Sequence, residues 1–277
     1  MIGVVVTGAT GRMGSEVIDA AGDRSEIEVV GAVSRSGPAV VGGVDVAPVS
    51  DLATRLVERT PDALVDFTAP GASVEYVATA AEAGVPAVVG TTGFDDDQDR
   101  RLRAAADSIP VLRASNFARG VEALRGALRS AVSRLPEYDV EVTETHHAGK
   151  RDAPSGTALS ILAAIEDAGG PTERVHGRRG EAPRNDAEIG VHARRAGDVT
   201  GEHAVLLAGN RETLSLTHRA GDRGVFAEGA LDAAAWLSGR DPGWYDFAEV
   251  LDGDGSGDVT RLPDDGGDVA ASWGDES

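Results

Sequence analysis

The chain has 277 residues, of which 41% are apolar and none is cysteine. This composition allows a folded protein of one large or two ordinary domains, and it excludes disulfides and thiolate sites. The formal net charge of −20 argues against binding to nucleic acid or anionic membranes. No apolar run is long enough to cross a bilayer and no secretory signal pattern is present, so we expect a cytoplasmic protein.

The first half of the chain alternates short apolar runs with helical patterns. Apolar, β-branched runs predict strands at 2–6, 28–33, 64–67, 85–89 and 109–112, and helical patterns predict helices at 13–21 and 70–83. This alternation predicts right-handed βαβ units and a parallel sheet. We therefore predict an α/β fold in which residues 1–117 form a Rossmann-like dinucleotide-binding domain.

The second half has a different pattern. It predicts helices at 118–134, 155–165 and 226–237, and strands at 138–145, 189–194, 203–207 and 213–218. Strands without helices between them predict a mixed or antiparallel sheet, and hence an α+β domain at 118–223. The Asp- and Gly-rich residues 252–277 are predicted to be a disordered acidic tail.

Positive charge in this sequence is almost all arginine. Lys150 is the one lysine, whereas Asp and Glu together number 46. Dense carboxylates keep a surface hydrated when salt screens charge, which favours salt adaptation as the cause of the acidity. The loss of lysine fits salt adaptation and an arginine-favouring, GC-rich genome equally well.

A glycine-rich turn lies between the first predicted strand and the first predicted helix. It contains Gly8, Ala9, Thr10, Gly11, Arg12, Met13 and Gly14. Glycines let backbone N–H groups approach a pyrophosphate, and the helix dipole adds to the attraction. The spacing differs from the G-x-G-x-x-G fingerprint, but the position in the chain predicts a dinucleotide site. A purely structural turn is the alternative.

The end of the second predicted strand bears on the choice of cofactor. Enzymes that use NAD usually place Asp or Glu there to accept from the ribose 2′-OH. This chain has Ser34, Arg35 and Ser36 instead. Because a guanidinium and hydroxyls suit a 2′-phosphate, we predict that NADPH is preferred and that NADH use is possible. The alternative is that Arg35 is an ordinary surface charge.

Two more loops follow predicted strands at the same edge of the sheet, where ligands bind in open α/β folds. The residues of interest are Gly90, Thr91, Thr92, Ala114, Ser115, Asn116 and Phe117. Their small, hydroxyl and amide side chains predict contacts with the nicotinamide and its ribose. Each loop taken alone is also compatible with an ordinary connection.

Two of the six histidines, His146 and His147, are adjacent at the end of a predicted strand, and Lys150 follows. A histidine near its usual pKa can donate a proton around neutral pH. A lysine kept where arginine is used elsewhere indicates a role for a compact ammonium, such as proton donation. The pair could instead bind a metal, but neighbours on a strand point to opposite faces and no third ligand is apparent, so we predict no metal.

The anion site is predicted just after this cluster, at the start of a helix. Ser155 suits the N-cap position, and the amides of Gly156 and Thr157 then point at any bound anion. The Thr157 hydroxyl adds a donor. With Lys150 and the histidines, these groups predict a pocket for a carboxylate substrate.

Six motifs together resemble the dihydrodipicolinate reductase family, also called 4-hydroxy-tetrahydrodipicolinate reductases. They are GATGRMG, DFTAP, GTTGF, SNFARG, ETHHAGKRDAPSGTA and GEH, and the resemblance runs from residue 2 to 251. It implies NAD(P)H-dependent reduction of a cyclic imine dicarboxylate to tetrahydrodipicolinate in lysine and diaminopimelate biosynthesis. It also implies a homotetramer formed through the substrate-domain sheets, and a segment 224–251 that returns to the first domain.

The resemblance carries roles to individual residues. It makes His146 the acid–base residue and Lys150 the proton donor. Substrate binding falls to His147, Lys150, Ser155, Gly156 and Thr157, and cofactor binding to residues 8–13, 34–35, 90–92 and 114–117. Ser34 departs from family members that have Glu there, which puts NADH use in doubt. Two alternatives remain at this point: another two-domain NADP oxidoreductase acting on a semialdehyde or sugar, and an NADP sensor without catalysis.

Overall fold

The computed structural model describes residues 1–35 and 40–252. Ser36 and all of the predicted tail except Asp252 lie outside the described residues. The first part of the chain forms strands β1 Ile2–Thr7, β2 Ile27–Ser34, β3 Val40–Val41, β4 Val44–Pro48, β5 Ala63–Asp66, β6 Ala87–Val89 and β7 Pro110–Arg113. Its helices are α1 Arg12–Gly22, α2 Leu52–Arg59, α3 Pro70–Ala83 and α4 Asp96–Ala105.

The rest of the described chain completes this sheet and forms a second one. Its strands are β8 Asp139–His146, β9 Glu173–His176, β10 Glu188–Arg195, β11 Gly201–Gly209, β12 Glu212–Ala220 and β13 Gly243–Tyr245. Its helices are α5 Arg119–Arg134, α6 Gly156–Asp167, α7 Gly224–Leu237 and α8 Phe247–Asp252.

The first sheet has the order β13-β7-β6-β5-β1-β2-β4-β3, and every neighbouring pair is parallel except β3 and β4. Its buried strands are rich in Val and Ala, as expected for a sheet covered on both faces. The chain moves outward from β1 through β2 and β4, then returns to place β5 on the other side of β1. This reversal of direction opens a crevice at the carboxyl ends of β1 and β5, which is where such sheets bind ligands.

The second sheet is mixed, with the order β12-β11-β8-β10-β9. Strand β10 runs parallel to β8 and β9, whereas β11 runs antiparallel to β8 and β12. Alternate residues such as Val140 and Val142 are buried in a core with side chains from α5 and α6. These two helices cover one face of the sheet.

Helix α7 returns to the first sheet after the second one is complete. Its Ala227, Ala230 and Leu231 share a core with residues of α1 and β1. Gly229 allows this approach, because a Cβ there would lie 1.8 Å from the Phe117 carbonyl oxygen. Helix α7 thereby holds the 114–117 loop against the first sheet.

The predicted fold class is confirmed: a Rossmann-like parallel sheet stands beside a mixed sheet. Every strand and helix predicted above is present, with ends shifted by a few residues. The sequence patterns did not predict β3, β4, α2, α4, β9, β13 or α8. Strands β3 and β13 are too short to show hydrophobic periodicity. Helix α4 is so rich in charged residues that only its Leu102 is buried, so its apolar face gives no clear pattern. The proposed domain limits at 117/118 and 223/224 remain a prediction.

Candidate active site

A cleft of about 270 Å³ lies between the carboxyl edge of the first sheet and the second sheet. Residues from both halves of the chain line it. They are Met13, Phe67, Gly90, Thr92, Ser115, Asn116, Phe117, His146, His147, Lys150, Thr157, Thr200, Gly201, His203, His218, Ala220 and Phe226. The cleft therefore brings predicted cofactor residues together with predicted substrate residues.

The glycine turn after β1 is shaped by close backbone contacts. Gly8 has a φ of +61°, in the left-handed region that favours glycine. A Cβ on Gly14 would lie 2.3 Å from the Gly8 carbonyl oxygen. Gly11 is the N-cap of α1 and provides no side-chain cap, so the first amides of the helix are left for a ligand. This geometry fits a dinucleotide pyrophosphate.

The end of β2 lies beside this turn. The hydroxyls of Thr10 and Ser34 are 2.7 Å apart and joined by a hydrogen bond. Arg35 follows with an exposed side chain. The predicted residues 8–12, 34 and 35 do not line the cleft itself, whereas Met13 in the first turn of α1 does.

A buried carboxylate joins three strand ends beneath the cleft. Asp66 is fully buried at the end of β5. It accepts hydrogen bonds from the hydroxyls of Thr7 at 2.5 Å, Thr68 at 2.7 Å and Thr91 at 2.8 Å. Thr91 also accepts from the Thr68 amide at 2.9 Å. Thr91 thus lies under the cleft and fixes the loops after β5 and β6.

Asn116 connects the two sets of predicted residues. Its Nδ2 donates to the Thr157 hydroxyl at 2.8 Å, and its Oδ1 accepts from the Ala118 amide at 2.7 Å. The loop after β7 is thereby bonded to the start of α6. A ligand on the first sheet and one on α6 would be neighbours.

His146 and His147 both line the cleft, together with Lys150. The expectation that the two histidines point to opposite faces is wrong, because β8 ends at His146 and the alternation of the strand does not continue. Lys150 Nζ lies 2.9 Å from Asp152 Oδ1. Burial raises the pKa of Asp152, but Lys150 more than offsets it, so the pKa lies below its usual value.

The start of α6 is capped as predicted. The Ser155 hydroxyl accepts from the Ala158 amide at 3.1 Å, which leaves the earlier amides of Gly156 and Thr157 without a helical partner. Ser155 itself is buried, and its hydroxyl also contacts His203 Nε2 at 3.1 Å. Ser155 therefore positions the helix from beneath, while Thr157 lines the cleft.

Three histidines at the cleft have restricted access to solvent: His203 is buried, and His146 and His218 are partly buried. Burial lowers the pKa of His146, although Glu144, which bonds its Nδ1 at 2.5 Å, acts in the opposite direction. Burial lowers the pKa of His203 to about 4 and also lowers that of His218. The rings of His146 and His203 meet edge to face with centroids 5.2 Å apart. Burial therefore favours the neutral form of all three rings.

Comparison with known proteins identifies the family. Models of the amino-terminal and carboxyl-terminal parts of dihydrodipicolinate reductase match residues 2–117 and 120–251. A 4-hydroxy-tetrahydrodipicolinate reductase of Natronomonas pharaonis is 55% identical over 90% of this chain and 99% of its own length. That of Haloarcula marismortui is 52% identical over 91% and 100%. This chain belongs to the dihydrodipicolinate reductase family.

A solved member of this family has the same fold. The dipicolinate-bound dihydrodipicolinate reductase from Paenisporosarcina sp. TG-14 superposes with a TM-score of 0.72 at 24% identity, covering 89% of this chain and 97% of its own. Membership makes the chain an oxidoreductase of the lysine and diaminopimelate route. The alternatives of a semialdehyde or sugar reductase and of an NADP sensor are not favoured.

Several residues around the cleft had no predicted role. Phe67, Thr200, His218 and Phe226 line it, and Glu144 and Arg195 lie beneath it. Motif spacing offered a signal for Glu144, which alternates with His146 on the same strand face. Arg195 offered none, because it is 51 residues away in sequence and one of many arginines.

No cluster of three or more His, Asp or Glu side chains within 1–35 and 40–252 is arranged to hold a metal ion. Over the same ranges, no helix has the length and apolar character needed to span a membrane.

Proposed function

We propose that this protein uses a hydride from NADPH to reduce a cyclic imine dicarboxylate to tetrahydrodipicolinate, with His146 and Lys150 handling the proton. The observation that carries the proposal is the cleft, which has nicotinamide-loop residues such as Gly90 and Thr92 on one wall and His146, His147 and Lys150 on the other. The bound nicotinamide supplies the hydride. The side chains of the second sheet supply charge and protons.

Each of the two substrate carboxylates is held by its own set of hydrogen-bond donors. The amides of Gly156 and Thr157 at the positive end of α6, with the Thr157 hydroxyl, bind one carboxylate. Lys150 and His147 bind the other. Ser155 contributes by holding the helix start in place through its bond to the Ala158 amide.

Protonation of the reduced ring falls to Lys150, with His146 as the acid–base residue beside it. Lys150 Nζ is paired with Asp152 Oδ1 at 2.9 Å. Burial lowers the pKa of His146, which favours its neutral form, and a neutral imidazole can receive a proton within the cleft. General acid–base steps of this kind contribute roughly 10²–10⁴ in rate.

Preference for NADPH over NADH follows from the end of β2. Arg35 and the bonded pair of hydroxyls on Thr10 and Ser34 are there in place of an acidic residue. A carboxylate would repel a 2′-phosphate, whereas a guanidinium binds it through charge-assisted hydrogen bonds. Residues 8–13, 90–92 and 114–117 complete the proposed cofactor site.

Assembly and surroundings are further parts of this proposal. A homotetramer formed through the second sheet is consistent with the exposure of Leu214 on its edge strand β12. The net charge of −20 supports a cytoplasm rich in salt and no partner that is nucleic acid or membrane. Light scattering should give the mass of four chains, and activity should rise with KCl; a monomer, or full activity without salt, would count against these parts.

The reaction is tested by following NADPH consumption with the product of dihydrodipicolinate synthase. We expect turnover on that compound and none on a semialdehyde or a sugar under the same conditions. Competitive inhibition by dipicolinate should accompany it. Turnover confined to a semialdehyde or sugar would overturn the assignment.

A further inference from the structure

A buried ion pair lies directly beneath the cleft. Glu144 on β8 is fully buried, and Arg195 on β10 grips its carboxylate with two hydrogen bonds of 2.9 and 2.7 Å. Each carboxylate oxygen has one further donor. His146 Nδ1 is 2.5 Å from Oε2, and the Ser155 amide donates to Oε1 at 3.2 Å. All four lone-pair directions of the carboxylate are therefore used.

This pair contacts three parts of the proposed substrate site. Glu144 reaches His146 on one side and the N-cap of α6 on the other. Arg195 also donates to the Asp152 carbonyl at 2.5 Å, in the loop that carries Lys150. The acid–base residue, the anion site and the lysine loop thus share one attachment point.

We infer that Glu144 and Arg195 form a positioning pair that holds His146 with its proton on Nδ1 and its Nε2 free for the reaction. This inference rests on the proposed function, which makes His146 the acid–base residue. An ionised carboxylate can only accept hydrogen bonds, so the nitrogen that faces it must carry the hydrogen. Neither residue touches the substrate, and both act through His146, Ser155 and Asp152.

The carboxylate stays ionised despite its burial. Burial raises the pKa of Glu144, but Arg195 and His146 more than offset this, and the pKa lies below its usual value. The groups that face His146 are Glu144 on its own strand, Lys150, Arg195 on β10 and His203 on β11. Among them only Glu144 is an acceptor at Nδ1.

The tautomer can be read without any activity measurement. In protein labelled with ¹⁵N-histidine, long-range ¹H–¹⁵N spectra separate protonated from bare ring nitrogens, and the His146→Gln variant assigns the His146 signals among six histidines. We expect neutral His146 to carry its hydrogen on Nδ1 in the unaltered protein. A hydrogen on Nε2 would overturn the inference, whatever any variant does.

The variant Glu144→Gln tests whether the carboxylate of Glu144 sets the tautomer of His146. Arg195 donates at both oxygen positions, and the Ser155 amide adds a second donor at Oε1, so the NH₂ group of Gln takes the Oε2 position and donates to His146 Nδ1. We expect the hydrogen of His146 to move to Nε2 and kcat to fall by roughly 10²-fold, with NADPH affinity unchanged within about twofold. Glu144→Asp, which keeps the charge, should retain the Nδ1 tautomer and recover part of the rate.

The chain offers a matched control. Glu166 and Arg174 form another two-bond pair in the same half of the molecule, at 2.7 and 2.9 Å, away from the cleft. Glu166→Gln should leave tautomer, kcat and KM unchanged. Arg195→Lys keeps the positive charge but loses the two parallel hydrogen bonds to the carboxylate. We expect it to raise the KM for the substrate, because the start of α6 and the loop that contains Asp152 are then less constrained.

The outcomes separate this inference from the function it rests on. If Glu144→Gln and Arg195→Lys behave like Glu166→Gln, the positioning pair is refuted although the reductase activity stands. If instead His146→Gln turns over at the normal rate, the acid–base role fails, and with it the purpose of the positioning pair. Loss of rate with the expected change of tautomer supports both.

Discussion

Two helix amino ends face the ligand region of this protein, and they are built in opposite ways. The start of α1 is made of backbone alone, with glycines that let the turn close on itself and no side-chain cap. The start of α6 has a serine cap bonded to His203 on one side and to the buried Glu144 on the other. A site made of backbone amides buries no charge, whereas a site made of ionisable groups needs hydrogen-bonding partners from distant strands, because an unpaired buried charge is costly.

The largest expected effect is on the ionisable side of this comparison. Lys150→Ala and His146→Gln should each lower kcat by about 10²–10⁴, because each removes a group that we propose moves a proton. NADPH affinity should remain nearly unchanged, since the proposed cofactor residues lie on the first sheet. Steady-state kinetics and a fluorescence titration of NADPH measure the two quantities. A loss below tenfold in both variants would refute the assigned roles.

Stability against pH should also distinguish the two sites. His203 has a pKa of about 4 when folded against an ordinary 6.5, so the unfolded chain takes up the proton first as the pH falls. Its contribution, on the order of 3 kcal/mol, is complete above pH 6.5 and is lost as the pH falls through 4.

Urea unfolding between pH 7 and 4 measures this loss. His203→Gln should lose less stability over that window than the unaltered protein, while a matched change at the exposed His176 should leave the slope intact. The lowered pKa values of His146 and His218 act in the same direction and remain in both variants. An unchanged slope in His203→Gln would show that this ring is not buried as a neutral base.

The backbone site should be broken by a single methyl group. In Gly14→Ala the added Cβ meets the Gly8 carbonyl oxygen at 2.3 Å, so the turn must shift. We expect a loss of about 1–3 kcal/mol in unfolding free energy and weaker binding of NADPH. Gly71→Ala, where a Cβ meets nothing within 4 Å, is the control. Equal NADPH affinity in both variants would contradict a cradle formed by close backbone contacts.

The smallest expected effect concerns cofactor choice. Arg35→Ala should weaken NADPH binding about tenfold and leave NADH binding nearly unchanged, because one charge-assisted contact to the 2′-phosphate is lost. Kd values for both cofactors, determined side by side at fixed salt, test this. Parallel losses for NADPH and NADH would indicate that Arg35 does not contact the 2′-phosphate.

The sequence predicted the parts of both sites that depend on local spacing. The glycine turn, the N-cap at Ser155 and the cluster of His146, His147 and Lys150 follow from neighbours a few residues apart. The contacts of Arg195 with Glu144 and of His203 with Ser155 could not be predicted, because they depend on how β8 pairs with β10 and β11. Cross-strand partners depend on tertiary pairing, which a single sequence does not contain.

We propose that the start of α6 and Lys150 hold a dicarboxylate beside the nicotinamide. A crystal structure with NADP⁺ and dipicolinate would reveal where the two molecules bind. We predict one carboxylate on the amides of Gly156 and Thr157, the other near Lys150, and the ring stacked over the reactive carbon of the nicotinamide. Dipicolinate bound away from α6, or a nicotinamide outside the cleft lined by Gly90 and His146, would contradict the account.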